Sequence, residues 1–584
     1  MSLSRFHPNR HKIANLFRFL LIGIVIAIPF LLSFFVTSFV LLRNGNQFIR
    51  GVVTTEDGVA IPWAIVRMQT TGINTVSDEQ GKFKISVPVG MEHINLTAWA
   101  PGYFNGGPVE VIPGRGKVNI QLHSHNDQDS PDYEWLSTMG KKGVGEDQGC
   151  VTCHSSAGSD LAFSLPVDEW LLDAHATSAV NQRFLTMYTG TDVNGNQSPL
   201  TKFVNIKDYG TEPIQADKSQ PYYGPGYKLD FPDTSGNCAT CHVPLAAVNT
   251  PYHTDPTDLK GVALEGVSCD FCHKIWAIKL DPESGLPYQN MTGVLAYEFR
   301  RPHDGEQFFA GPLDDVAPGE DTYSPLQTQS QFCAGCHYGV FWDTVIYDSF
   351  GEWLRSPYSD PEDGQTCQDC HMPKLGVSQF ALTEQGGLVR DPETIFSHTM
   401  PGASDTTLLQ NSVSMDVSYT IENDSIQIQV RLVNDQTGHY VPTDSPLRHL
   451  ILHVNVLDQE GQTNPQTGGP QLPNWCGSGN VQDGAYAGEA GMVYAKVLAE
   501  QWTNISPTAA YWNPTYLVSD NRLAPFEEDI THYEFQINPD EITNIQVQLL
   551  YRRAFYELMQ QKGWQVPDIL MEEQALQITP QVNE

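Results

Sequence analysis

Basic residues are scarce. The 584-residue chain holds 33 Lys and Arg against 68 Asp and Glu, a formal net charge of −35, and only 17% of its residues are charged. A surface short of Lys and Arg cannot neutralise phosphates, which excludes nucleic acid as a partner. It suits protein partners that offer a basic docking surface. Long apolar runs are scarce too: beyond residues 19–42 no apolar stretch of similar length occurs. Residues 146–402 lack strong strand or helix periodicity, so this region offers little regular structure and little obvious core.

The chain nevertheless has material for folding. Apolar residues make up 40% and aromatics 10%, which excludes a disordered protein. The 48 Gly and 39 Pro point to turns and loops rather than a helical bundle. The length suggests about four domains.

The one long apolar run, 19–42, is 24 residues without a charge. As a helix it would extend about 36 Å, enough for a hydrocarbon core of about 30 Å. Arg5, Arg10, Lys12 and Arg18 precede it. The positive-inside rule then keeps a basic tail, 1–18, in the cytoplasm and places everything after the span on the periplasmic or extracellular side. A cleaved signal peptide is the alternative, although the run exceeds the usual apolar length of about 7–15 residues and no clear small-residue cleavage site follows. The expectation is a transmembrane anchor at 19–42 that tethers the protein to the membrane.

Residues 48–122 read as a small all-β module, with runs at 49–53, 64–68, 82–87 and 95–99 punctuated by Gly58, Gly81 and Gly90. Residues 123–145 are polar and read as a linker. Residues 403–584 turn β again, with runs at 413–420, 425–432, 450–457, 533–537 and 545–550. A helix over 552–562 ends at Gly563, and an acidic, polar tail follows. The expected fold is multidomain: a transmembrane helix, an all-β sandwich, a loop and short-helix domain over 146–402 with little sheet, and a C-terminal β-sandwich closed by a short helix.

Ten of the 11 cysteines form five pairs of one spacing, each followed directly by His. They are Cys150-Val-Thr-Cys153-His154, Cys238-Ala-Thr-Cys241-His242, Cys269-Asp-Phe-Cys272-His273, Cys333-Ala-Gly-Cys336-His337 and Cys367-Gln-Asp-Cys370-His371. This is the attachment signature of c-type haem. Two thiols add to the haem vinyl groups, and the adjacent His supplies the proximal iron ligand. Zinc ribbons do not require His after every pair, and disulfides would not impose uniform spacing. With His at 18 of 584 residues, five successive hits by chance are on the order of 10⁻⁸. Five covalently attached haems are therefore expected, and they would supply the missing core of 146–402. The short steps between motifs, 31 residues from the second to the third and 34 from the fourth to the fifth, suggest close-packed haem pairs.

Sixth iron positions need further side chains. His175, His253, His303 and His398 lie within the motif region and His439 follows it. All five are candidate distal ligands, each with an ordinary surface role as the alternative. His449, His453 and His532 sit in strand patterns and read as structural. Cys476 has no pair and no following His, so it is either a free thiol or a link between chains.

Two resemblances follow. Gly51-Val-Val, Asp57-Gly58, Ile61-Pro-Trp-Ala64, the stretch from Thr75 to Phe83, and Ala100-Pro-Gly-Tyr103 resemble the carboxypeptidase-regulatory-like β-sandwich, a non-catalytic module. The segments around the third, fourth and fifth motifs, Glu352-Trp-Leu-Arg-Ser-Pro-Tyr358, Gly438-His439-Tyr-Val-Pro-Thr443 and Tyr551-Arg-Arg-Ala-Phe555 resemble multihaem cytochromes c. The nearest group is the superfamily of the nitrifier tetrahaem cytochrome c and the pentahaem nitrite reductases. That resemblance implies a wire of bis-His haems that moves single electrons between redox proteins. The alternative it implies is a reductase or oxidase of a small nitrogen or sulfur oxyanion at a five-coordinate haem. The nitrite reductases bind their catalytic haem through a motif ending in Lys. All five motifs here end in His, so the carrier reading leads and no catalytic residue is assigned.

Overall fold

Alternation builds the first β unit. In Lys82–Pro88 the side chains of Phe83, Ile85 and Val87 are buried while Lys82 and Lys84 face outward. This strand pairs antiparallel with Asn46–Thr55, which pairs in parallel with Val118–Leu122. A second sheet runs Asn74–Val76, Ile65–Met68, Ile94–Trp99, Gly106–Val111 in spatial order. Apolar side chains including Ile49, Val66, Ile85, Leu96 and Ile120 fill its core. The computed structural model describes residues 46–140, 149–207 and 210–579. Within it, this unit takes the described residues to His125 together with Asp314–Thr322. That late segment is held by the Asp314 carboxylate on the Arg67 guanidinium and by Trp99 Nε1 donating to Thr322 Oγ1 at 3.0 Å.

The second unit comprises Asn126–Leu313 and the residues from Tyr323 onward. Its first part is made of one- and two-turn helices, 3-10 turns and short strand pairs such as Ile275–Ile278 with Tyr297–Phe299. Its last part is a two-layer β arrangement. One sheet runs Ser414–Glu422, Ser425–Val433, Glu528–Gln536, Gln466–Gly468; the other runs Thr515–Asp520, Gly491–Glu500, His449–Leu457, Thr543–Arg552, Ile569–Ile578. Ile426, Ile428, Val430 and Leu432 meet Leu450, Leu452, Val454 and Val547 in the core between them. Helix Tyr556–Lys562 ends at Gly563 in the left-handed conformation, φ 68°. Its residues Leu558 and Met559 pack with Met187, Leu447 and Trp564. Where an acidic tail was expected after that helix, Ile569–Ile578 instead adds a full edge strand.

The expected membrane anchor requires correction. Among the described residues no helix is long and apolar enough to cross a membrane. The longest, Gln182–Thr189, has 8 residues, a length of about 12 Å against about 30 Å of hydrocarbon. The span expected at 19–42 and the basic tail at 1–18 lie outside the described residues. The fold class is a multidomain, β-rich arrangement with few short helices. Membrane tethering and an outward-facing location are withdrawn.

Candidate multihaem site

Each of the five motifs lies on or directly flanks a single helical turn: Val151–His154, Ala239–His242, Cys269–Cys272, Gln331–Ala334 and Cys367–His371. A helical turn brings side chains three apart onto one face, so the two thiols of a pair point the same way. The fifth turn is fixed by a capping box, in which Thr366 Oγ1 accepts from Asp369 N and the Asp369 carboxylate accepts from Thr366 N. All eleven cysteines are free of disulfides. Among the described residues, no three His, Cys, Asp or Glu side chains converge as a bare metal ion would need.

The motif imidazoles are oriented by their Nδ1 atoms. His154 Nδ1 lies 2.8 Å from the Phe380 carbonyl, His273 Nδ1 2.7 Å from that of Ala310, and His371 Nδ1 2.7 Å from that of Pro401. His337 Nδ1 lies 3.1 Å from Asp444 Oδ2. These oxygens only accept, so each Nδ1 carries the proton and each Nε2 keeps its lone pair for a metal. His242 is held differently, with its ring stacked on Phe184 at 3.9 Å between centroids. Burial pushes the pKa values of His242 and His371 down to about 4 and lowers those of His154 and His273, which keeps the rings neutral and ligand-competent. His337 departs from this pattern. Burial works against its charge, but the Asp444 hydrogen bond and negative charge override it and raise the pKa.

Two candidate distal histidines face motif histidines. A metal-bound imidazole nitrogen stands about 2.0–2.1 Å from the ion and its ring centre about 1.1 Å further, so two imidazoles on opposite sides of one ion have centres about 6.2–6.4 Å apart. His175 and His337 have centroids 6.3 Å apart, and so do His371 and His439. His175 Nδ1 is bound to Asp173 Oδ2 at 2.6 Å and His439 Nδ1 to the Tyr440 carbonyl at 3.0 Å, so both also present Nε2. These side chains fit iron held between two imidazoles.

His398 lies close to His273 and His154, and burial, then those two rings, push its pKa down to about 4. Its backbone N donates to Glu169 Oε2 at 2.6 Å. His253 and His303 are exposed loop residues, and neither has a ring contact with a motif histidine among the described residues. No imidazole faces His242 there either. Nδ1 anchoring alone does not mark a ligand. His449 has it too, donating to the Leu447 carbonyl at 3.1 Å, yet its ring is buried between Trp475 and Phe555 in the C-terminal part.

The motifs converge. The thiols of Cys150 and Cys269 face one another, as do those of Cys241 and Cys336 and those of Cys333 and Cys367. Cys272 and Cys336 pack against one core cluster that holds Phe271 and Tyr297. The fourth motif therefore borders the second, third and fifth, and the third borders the first. Proximity of the fourth and fifth follows their short sequence step. The second motif instead turns its Cys241 thiol to the fourth.

Several supporting residues were not anticipated. Asp173 carried a local signal, an acidic residue two positions before His175. Asp444 and Glu352 carried none, because their roles depend on a loop from the C-terminal part folding over the motifs. Glu352 accepts from Tyr440 N at 3.1 Å and Thr443 Oγ1 at 2.5 Å and so holds the loop between His439 and Asp444.

No family model and no curated protein matches the chain. Among solved structures, a penta-heme cytochrome c552 from Thermochromatium tepidum aligns with a TM-score of 0.48 and 19% identity, covering 74% of this chain and 97% of that one. The Fcho1 Mu homology domain of Danio rerio with bound Eps15 peptide aligns with a TM-score of 0.11 and 8% identity, covering 30% and 44%. Neither singles out the tetrahaem cytochrome and nitrite reductase superfamily.

Proposed function

We propose that the chain is a multihaem c-type cytochrome that passes single electrons between redox proteins. The observation that carries this reading is the 6.3 Å spacing of His175 with His337 and of His371 with His439, both next to paired thiols and with every Nδ1 engaged. Covalently held haem would supply one-electron chemistry at iron and an apolar body for an otherwise sparse core. The chain's own part is to hold the haem by Cys150, Cys153, Cys238, Cys241, Cys269, Cys272, Cys333, Cys336, Cys367 and Cys370. His154, His242, His273, His337 and His371 are the proximal ligands. His175 and His439 are distal ligands to the fourth and fifth motifs, and His398 serves the third. A net charge of −35 favours redox partners with a basic docking face. A pyridine haemochrome assay divided by protein concentration should give five haems per chain. A value of zero would sink the reading, and four would leave one motif unused.

One observation favours a second reading, the reduction or oxidation of a small nitrogen or sulfur oxyanion. Arg183 neighbours Phe184, the residue stacked on His242, and its helix packs through Met187 against Leu447 and Ala554. Arg448 and Arg553 flank that contact, one residue beyond the paired His449 and Arg552. Burial, then Arg553 and Arg448, pull the Arg183 pKa down to about 10. The guanidinium groups of Arg183 and Arg553 have no ion-pair partner among the described residues, and Arg553 Nε is buried without a hydrogen bond. Such a cluster suits an oxyanion beside His242, a motif histidine that no imidazole faces among the described residues. A high-spin EPR signal that responds to nitrite or sulfite would favour this reading; uniformly low-spin haems would remove it.

A further inference from the structure

We propose that Asp173 and Asp444 act together to make the haem of the fourth motif, Cys333 to His337, the most reducing of the five. The inference rests on the multihaem reading above. His175 and His337 face each other at 6.3 Å, and each gives its Nδ1 proton to a carboxylate, at 2.6 Å and 3.1 Å. His154, His273, His371 and His439 instead donate to neutral backbone carbonyls. The fourth motif is therefore distinguished by anions behind both of the imidazoles that would hold its iron.

A carboxylate on Nδ1–H draws the proton towards itself and gives the ring imidazolate character. The ring becomes a stronger electron donor through Nε2, which favours ferric over ferrous iron and lowers the reduction potential. The carboxylate charge adds a direct electrostatic effect of the same sign. Low solvent exposure enlarges both, and the Asp173 and Asp444 side chains are only 2% and 14% exposed. Both carboxylates are also fixed in place. Asp173 accepts from the backbone N of Ala174 at 2.6 Å and of His175 at 3.1 Å, and Asp444 accepts from Ser349 N at 3.1 Å. Arg448 lies near Asp444 and offsets part of its charge, whereas Asp173 forms no ion pair with Lys or Arg among the described residues. The two aspartates come from separate segments, one local to His175 and one on the loop that Glu352 secures.

The test is voltammetry on the haem-loaded full chain, with Asp173→Asn, Asp444→Asn and the double variant. Asparagine keeps an acceptor oxygen and removes the charge. The lowest of five one-electron waves should move to higher potential in each single variant and further in the double, while the other four move less. Asp416→Asn, an exposed position, serves as the charge control and should move none. If one single variant fails to load haem, the other, on a separate segment, still decides the matter. An unmoved lowest wave with five haems in place overturns this inference alone, as does an equal shift of all five waves. Absence of haem from the unaltered protein overturns the multihaem reading with it.

Discussion

Arg522 Nη1 stands 2.7 Å from Glu352 Oε1, with both side chains at most 5% exposed. The other carboxylate oxygen holds Tyr440 and Thr443. One buried acid therefore ties the loop carrying His439 and Asp444 to the strands behind it. Glu352→Ala leaves Arg522 with Asp520 and the Pro442 carbonyl as its remaining partners and loosens that loop. The expected loss of stability is about 3 kcal/mol, the low end for breaking a buried pair. Urea denaturation should report it, with a new high-spin EPR signal as His439 moves off. Unchanged low-spin signals would show that the loop is held by other means.

His398→Ala should convert one haem to high-spin while all five stay attached, because attachment uses other residues. EPR and a haemochrome assay on the same sample check the two halves separately. If the low-spin spectrum is unaltered, His398 is an ordinary buried histidine.

Lys562 is fully buried, and its Nζ donates to the carbonyls of Thr186, Thr191 and Pro225 at 3.0, 3.1 and 2.7 Å. Lys562→Met strands three acceptors. The relief of burying an ammonium offsets part of this, so a net loss of about 2–4 kcal/mol is expected. Equal urea midpoints for the two proteins would contradict it.

Acid should weaken the C-terminal sandwich through His449. Burial, then Arg552, push its pKa from 6.5 down to about 3. Between those values the unfolded chain takes up the proton and the folded one does not. The contribution of the neutral ring is complete above pH 6.5 and is lost as pH falls towards 3, by about 1.4 kcal/mol per pH unit. His449→Gln should flatten the dependence of the urea midpoint on pH in this window. Parallel curves for the two proteins would assign the acid sensitivity elsewhere.

Cys476 is buried, and burial pushes its thiol pKa up to about 12. It should resist thiol reagents in the folded protein and react as about one thiol per chain after denaturation without reductant. A disulfide-linked dimer on a non-reducing gel would contradict the buried placement.

Parts of this architecture were legible from residue order and parts were not. Alternation in 425–432 marked a strand with Ile426, Ile428, Val430 and Leu432 on its inner face, and they are buried. Ile569–Ile578 was hidden because an edge strand has one solvated face, and Glu572, Glu573 and Gln574 there read as a polar tail. His175 and His439 could be named as candidate ligands, but not matched to His337 and His371. That match depends on how the chain threads across 162 and 68 residues of separation. Asp314–Thr322 joins the first β unit through Arg67 and Trp99 for a similar reason, since no local pattern announces a partner more than 200 residues away.

The thiol contacts make the fourth motif a junction. A row of stations has two ends. An arrangement in which one station touches three others, with a fifth beyond one of them, has three: here the first, second and fifth motifs. Traffic between any two of those ends would pass the His175 and His337 pair. On the readings proposed above, that pair is the step hardest to reduce, so it would work as a shared turnstile. An electron entering at one end would be held there until the receiving end is empty. Stopped-flow reduction with two oxidants present should then show one common rate, whereas independent rates would mean that the ends do not share a crossing.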